Sequence, residues 1–258
     1  MTDLSTLTVF ITGATSGFGA AIARRFAKDG ARLILSGRRG ERLEALQAEL
    51  SGVPVHTVVL DVRDRDAVAQ AFAALPAEFA AIDVLVNNAG LALGLEPAQR
   101  ADLDDWDTMV DTNIKGVMYC TRAALPGMVE RKRGHVITIG SVAGYYPYMG
   151  GNAYGATKAF VDQFAMNLRA DVAGTGVRVT NVAPGMAESE FSLVRFKGAA
   201  DRAAAVYEQT QPLTPEDVAE CVHWTASLPA HVNINRIEVM PTVQSFSPLS
   251  VWREPKEA

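Results

Sequence analysis

Two residues of this 258-residue chain, Tyr154 and Lys158, combine type and spacing in a way that suits proton transfer. On a helix, positions four apart share a face with Cβ atoms ~6 Å apart, so the phenol and the ammonium look into one space. A free tyrosine has a pKa of ~10. A fixed cation nearby favours the phenolate, and a fall of roughly two to three units would bring Tyr154 to where acid–base catalysis works best. Ser141 ends the apolar run from His135 to Ile139, and its hydroxyl is placed to hold a carbonyl oxygen beside the phenol. Taken alone, the pair is better read as an ordinary surface Tyr and Lys on a helix.

The elements that must position these groups are legible as apolar runs alternating with helical patterns. Thr8 to Thr12, Arg32 to Ser36, Val55 to Leu60, Val84 to Val86, His135 to Ile139, Val177 to Val182 and Asn233 to Val239 read as buried strands. Gly17 to Asp29, Arg42 to Leu50, Arg65 to Leu75, Asp104 to Arg131, Ala153 to Ala173 and Pro215 to Ser227 read as helices. Strands rich in Val, Ile and Leu that alternate with helices imply an α/β fold, a doubly wound parallel sheet covered on both faces. Without a repeat, linker or low-complexity stretch, one domain over residues 1–258 is the simplest partition.

Composition narrows the function classes. At 48% hydrophobic residues the chain can bury a substantial core, and 24 basic against 29 acidic residues give a net charge of -5 with no electrostatic case for nucleic acid. Cys120 and Cys221 lie in apolar helical contexts and read as buried thiols of a reducing compartment. The start MTDLSTLTVF lacks a basic n-region and a long apolar core, and no apolar stretch is long enough to span a bilayer, so a soluble cytoplasmic protein is expected. His56, His135, His223 and His231 lack ligand-like spacing, so no metal is expected and structural roles suit them.

The first strand runs into Thr12-Gly13-Ala14-Thr15-Ser16-Gly17-Phe18-Gly19 and then a helix. Glycines at such a turn let the backbone approach a pyrophosphate whose charge sits at the helix N-terminus. Strand two ends in Ser36-Gly37-Arg38-Arg39, with no acid before Glu41 to hold the ribose hydroxyls of NAD. A phosphomonoester carries about -1.5 to -2 charges, so Arg38 and Arg39 point to NADP. Ligands of open parallel sheets lie beyond the carboxyl ends of the strands, which brings in Asp61 and Val62 at strand three and Asn88 at strand four. Asn113, inside the long helix, is locally unfavourable there and either opens the backbone ladder around a water, giving Lys158 a proton route, or is a satisfied core amide.

TGATSGFG, NNAG, Asn113, Ser141 and Tyr154-x-x-x-Lys158, in this order, make the whole chain resemble the classical short-chain dehydrogenase/reductase family. The resemblance implies a single Rossmann-like domain with a seven-stranded parallel sheet, usually a homotetramer. It implies Tyr154 as general acid/base, Lys158 as the residue that lowers its pKa and binds the nicotinamide ribose, Ser141 as the substrate-orienting hydroxyl and Asn113 as support for the relay. Downstream, PGMAESEFS from Pro184, VRFKG from Val194, LTPED from Leu213, LPAHVNIN from Leu228 and Met240-Pro241-Thr242 resemble NADP-dependent 3-hydroxy acid dehydrogenases, which include serine and allo-threonine dehydrogenases. These oxidise the β-hydroxyl of small acids or reduce the matching semialdehydes. Relatives often carry Gly or Thr near Glu188 and Ser189, a departure that bears on pocket shape.

By that resemblance, Pro184 and Gly185 lead into a lid over the nicotinamide, at about residues 185–212. Arg195 and Lys197 lie within it, and a guanidinium can grip a carboxylate with two hydrogen bonds, so Arg195 reads either as the clamp for an acidic small-molecule substrate or as a surface or subunit-contact residue. Tyr145, Tyr146, Tyr148 and Met149 are available as a substrate wall or as packing. The largely apolar tail from Val232 to Trp252, with Phe246 and Trp252, is expected to pack against another subunit. Competing readings are a reductase of another small carbonyl, such as sulfoacetaldehyde or a 3-oxoacyl thioester, and an NADP-sensing protein, which would not need Ser141, Tyr154 and Lys158 together.

Overall fold

The computed structural model describes residues 3–245. Seven strands form one parallel sheet: β1 (Thr8–Thr12), β2 (Arg32–Gly37), β3 (Val55–Val59), β4 (Val84–Asn87), β5 (Gly134–Ile139), β6 (Val177–Pro184) and β7 (Arg236–Val239). Their order is β3-β2-β1-β4-β5-β6-β7, with every neighbouring pair parallel. The order reverses between β1 and β4, so the crevice of such a sheet opens at their carboxyl ends.

Successive side chains of a strand point to opposite faces, and the sheet buries both. Val9, Ile11, Leu33, Leu35, Val84 and Val86 pack on one side, under α1 (Gly17–Ala27), α2 (Gly40–Glu49) and the later helix Pro215–Ser227. Phe10, Ile34, Leu85 and Val136 pack on the other, against α3 (Arg65–Ala73), the helix Gly116–Glu130 and the helix Asn152–Asp171. A sheet covered on both sides explains why its central strands read as continuous apolar runs.

The predicted helix from Asp104 to Arg131 is three segments: α4 (Leu103–Val110), a π-helical turn at Asp111–Lys115, and α5 (Gly116–Glu130). The single long helix after β5 is α6 (Asn152–Asp171). Two short helices that the sequence pattern did not reveal, α7 (Glu190–Arg195) and α8 (Ala200–Ala205), lie within the expected lid. Ser189 starts α7 by accepting from Phe191 N at 3.2 Å. Thr214 and Asp217 form a reciprocal capping box, with Pro215 as first residue, that sets the start of α9 (Pro215–Ser227).

Strand β7 begins at Arg236 rather than Asn233. The Asn233 side chain bonds the backbone N and O of Val179, at 2.7 and 2.9 Å, where a strand would have used its own backbone. The tail then folds back: Gln244 Oε1 accepts from Met186 N at 2.7 Å. Phe246 and Trp252, and with them the expected subunit contact, lie outside the described residues. Among those described, no helix is long and apolar enough to cross a membrane.

Candidate active site

The glycine turn after β1 is shaped by contact. Gly13 has φ +67, and a Cβ on Gly19 would lie 2.6 Å from Asn88 Nδ2 and 2.9 Å from Ala14 Cα, so neither position accepts a side chain without moving backbone. Asn88 ties the end of β4 to this turn, its Nδ2 donating to the carbonyls of Thr12 at 2.8 Å and Gly13 at 3.1 Å. Ser16 precedes α1 in extended backbone and its side chain makes no cap, so the first N–H groups of the helix are left to an anion.

A cleft runs from this turn across the sheet. Gly13, Thr15, Ser16, Gly17, Phe18, Arg38, Arg39, Asp61, Val62, Asn88, Tyr154 and Lys158 all line it, which brings together every residue expected at a dinucleotide except Gly19 and the pair Pro184 and Gly185. Gly19 lies beneath the turn rather than in the cleft. Arg39 reaches across to Thr15 Oγ1 at 2.7 Å and Ser16 Oγ at 2.8 Å. Arg63 grips Asp61 at 2.6 Å, and that bond holds the carboxyl below its usual range. A glycine cradle, an uncapped helix start and two arginines at the end of β2, where the chain carries no acid, fit NADP.

A second pocket adjoins the cleft at Tyr154. Ser141, Tyr148, Tyr154, Pro184, Gly185 and Arg195 line it, together with Tyr146 and Tyr207. Ser141 has extended backbone, φ -172, and its Oγ accepts from Ala143 N at 3.2 Å. Tyr154 and Lys158 sit one turn apart on α6 and both are buried. Arg195, at the end of α7, places its guanidinium carbon 5.3 Å from the centre of the Tyr154 ring and donates from Nη2 to Tyr148 Oη. Its Nε is buried and finds no hydrogen-bond partner among the described residues. Lys197 is held away from this pocket by Asp105, at 2.9 Å.

The electrostatics differ from expectation. Burial pushes the Tyr154 phenol up to about 12; a hydrogen bond from Ser141 and the charge of Arg195 pull the other way. Lys158 is pushed down to about 8 by burial, and its ammonium donates to the Ile139 carbonyl at 2.7 Å, 5.8 Å from the Tyr154 ring centre. The expected lowering of the phenol by Lys158 is therefore not a property of these protein groups: desolvation outweighs every attractive charge around the phenol.

Asn113 lies in the π-helical turn, where its Oδ1 accepts from Leu91 N at 2.9 Å and its Nδ2 donates to Leu91 O at 2.8 Å and Thr157 Oγ1 at 3.0 Å. All its side-chain capacity on the nitrogen is used. The amide is satisfied, as the second sequence reading has it, and it sits in a π-helical turn rather than a regular α-helix. Of the aromatic loop, Tyr146 and Tyr148 face the second pocket, whereas Tyr145 turns away to donate to Asp162 at 2.6 Å and Met149 is exposed. Sequence reasoning missed Phe191, whose ring centre lies 5.5 Å from that of Tyr154, and Glu190, which pairs with Arg39 and Arg42. The one available signal was Ser189 followed by an acid, a helix-start pattern.

Of the cysteines, Cys120 is buried and its thiol is pushed up to about 12, but Cys221 is only half-buried, less than expected. His135 Nε2 pairs with Thr180 Oγ1 at 2.8 Å, and His223 with Asp29 at 2.5 Å, both remote from the cleft.

Sheet order, glycine turn and the Ser141, Tyr154 and Lys158 cluster together define a Rossmann-like oxidoreductase, and the chain belongs to the short chain dehydrogenase family, whose model matches residues 7–198. Among relatives, an NADP-dependent 3-hydroxy acid dehydrogenase of Salmonella typhi is 61% identical, over 95% of this chain and 99% of that one. Sulfoacetaldehyde reductase 2 of Chromohalobacter salexigens is 58% identical, over 95% of this chain and 98% of its own. A solved structure, the closed form of serine dehydrogenase complexed with NADP+, superposes with a TM-score of 0.92 at 57% identity, covering 95% of this chain and 99% of that chain.

Proposed function

We propose that this protein is an NADP-dependent oxidoreductase that oxidises the β-hydroxyl of small 3-hydroxy acids, of the serine, allo-threonine or 3-hydroxypropionate type, or reduces the matching semialdehydes. The observation that carries the substrate class is Arg195: a partly buried guanidinium stands over the Tyr154 ring with its Nε unpaired, inside the pocket that holds Ser141. A carboxylate is the group that such a fork accepts best.

NADP supplies a nicotinamide that takes up or delivers the hydride. The glycine turn and the start of α1 would hold its phosphates, Arg38 and Arg39 its 2′-phosphate, and Asp61, Val62 and Asn88 would line the rest of the cleft. Ser141 would hold the substrate oxygen, and Tyr154 would give its proton to the carbonyl in reduction; in oxidation the phenol would first lose its own proton toward solvent and then take that of the hydroxyl. At a pKa of about 12 the phenol is protonated at neutrality, so reduction starts from the resting form. Lys158 would hold the ribose, and Asn113, in its π-helical turn, would support the passage of protons toward solvent. The lid at about residues 185–212, carrying α7 and α8, covers the reacting pair.

The test is the appearance of reduced nicotinamide absorbance with NADP and a panel of 3-hydroxy acids, set beside sulfonates and thioesters. Preference for a 3-hydroxy acid supports the reading, and activity on thioesters alone defeats it. A second reading, sulfoacetaldehyde reduction, is favoured by the 58% identical reductase, because a sulfonate also suits the Arg195 fork. The family resemblance further supports a cytoplasmic homotetramer. Light scattering would give a mass four times the 27.6 kDa of the chain, and a monomer mass defeats the assembly.

A further inference from the structure

Glu190 puts a negative charge where an anionic ligand is expected. It is the first residue of α7, and its Oε1 accepts from Arg42 Nη1 at 2.8 Å while its Oε2 accepts from Arg39 Nη1 at 3.1 Å. Arg39 is the residue that also grips Thr15 and Ser16 of the glycine turn, and Glu190 lines the same cleft as Arg38 and Arg39. A carboxylate thus already holds part of the cationic cluster that ends β2.

We propose that Glu190 is a cofactor-selectivity residue: an internal anion that competes with the 2′-phosphate of NADP for Arg39 and Arg42. The proposal rests on the NADP reading above. A phosphomonoester carries about -1.5 to -2 charges, so on reaching Arg39 it either displaces the single charge of Glu190 or binds beside it against repulsion. In both cases the carboxylate opposes it. NAD, with a neutral ribose hydroxyl at that position, meets neither effect. The side chains of Arg39, Arg42 and Glu190 are each more than 40% exposed, at 44%, 49% and 41%, so the pairing is screened and exchangeable rather than fixed.

The experiment is a calorimetric measurement of NADP and NAD affinity for the full-length protein, wild type against Glu190→Gln and Glu190→Asp, at low and high salt. Glu190→Gln should tighten NADP about threefold to fivefold, the scale of one exposed ion pair, leave NAD unchanged, and lose most of that gain at high salt. Glu190→Asp, which keeps the charge, should retain the wild-type ratio. An NADP affinity that is unchanged or weaker in the Gln variant, or an equal gain for both nucleotides, overturns the proposal while leaving the NADP reading intact. A wild type that binds both nucleotides equally overturns the two together.

Discussion

Lys158 is the most costly side chain in the site. Its ammonium is buried against the Ile139 carbonyl, and burial brings its pKa from 10.5 to about 8, a cost on the order of 3 kcal/mol at neutral pH. Because the folded pKa lies below the unfolded one, the unfolded chain binds the proton more tightly, and the native state gains stability as pH rises from about 8 toward 10.5. Chemical denaturation should therefore show wild type gaining on Lys158→Met by about that amount across this window, and parallel curves would contradict it. For Arg195→Met, KM for a 3-hydroxy acid should rise about 10- to 100-fold, the scale of one or two charged hydrogen bonds, and by much less for its methyl ester. Equal losses would remove Arg195 as the clamp. Tyr154, Lys158 and Ser141 were legible from type and spacing and Arg195 from the lid that the family resemblance implies, and the structure gathers all four around the cleft and the pocket beside it. The balance of charge around the phenol was not legible, because it depends on how far water is excluded, which spacing does not encode.

At the scale of elements, the glycine turn and the π-helical turn are the two devices that place chemistry. Asn113 joins the loop after β4 to α6 through Leu91 and Thr157, and Thr157 Oγ1 donates to the Tyr154 carbonyl at 2.8 Å, so the phenol's helix is fixed by side chains from two directions. The turn tolerates no bulk: the Cβ of Gly19→Ala would press on Asn88 and on the turn's own backbone. That variant should lose about 1–3 kcal/mol of stability and weaken NADP at least tenfold in a titration. Unchanged affinity would show that the turn does not touch the cofactor. The strands and long helices were readable because both faces of the sheet are buried and their apolar runs are continuous. The lid helices were not, because Glu190–Arg195 and Ala200–Ala205 are each six residues, too short to set up a period. The π turn was visible only as a misplaced asparagine.

The whole molecule is organised so that β1, β4 and β5 deliver the glycine turn, Asn88 and Ser141 to one edge of the sheet, while α6 brings Tyr154 between the cofactor cleft and the substrate pocket. This convergence was implied by alternating strands and helices, since topology fixes which strand ends meet. The tail, expected to pack against another subunit, returns in its described part to Met186 of the same chain through Gln244. Because Tyr154 lines both cleft and pocket, removing its hydroxyl alone tests the chemistry apart from the binding. The Tyr154→Phe protein should still bind NADP, with at most a few-fold loss of affinity by titration, while its rate of hydride transfer with a 3-hydroxy acid falls by about 10²- to 10⁴-fold, the range of general acid–base catalysis. Turnover at the wild-type rate with the cofactor bound would contradict the account at its centre.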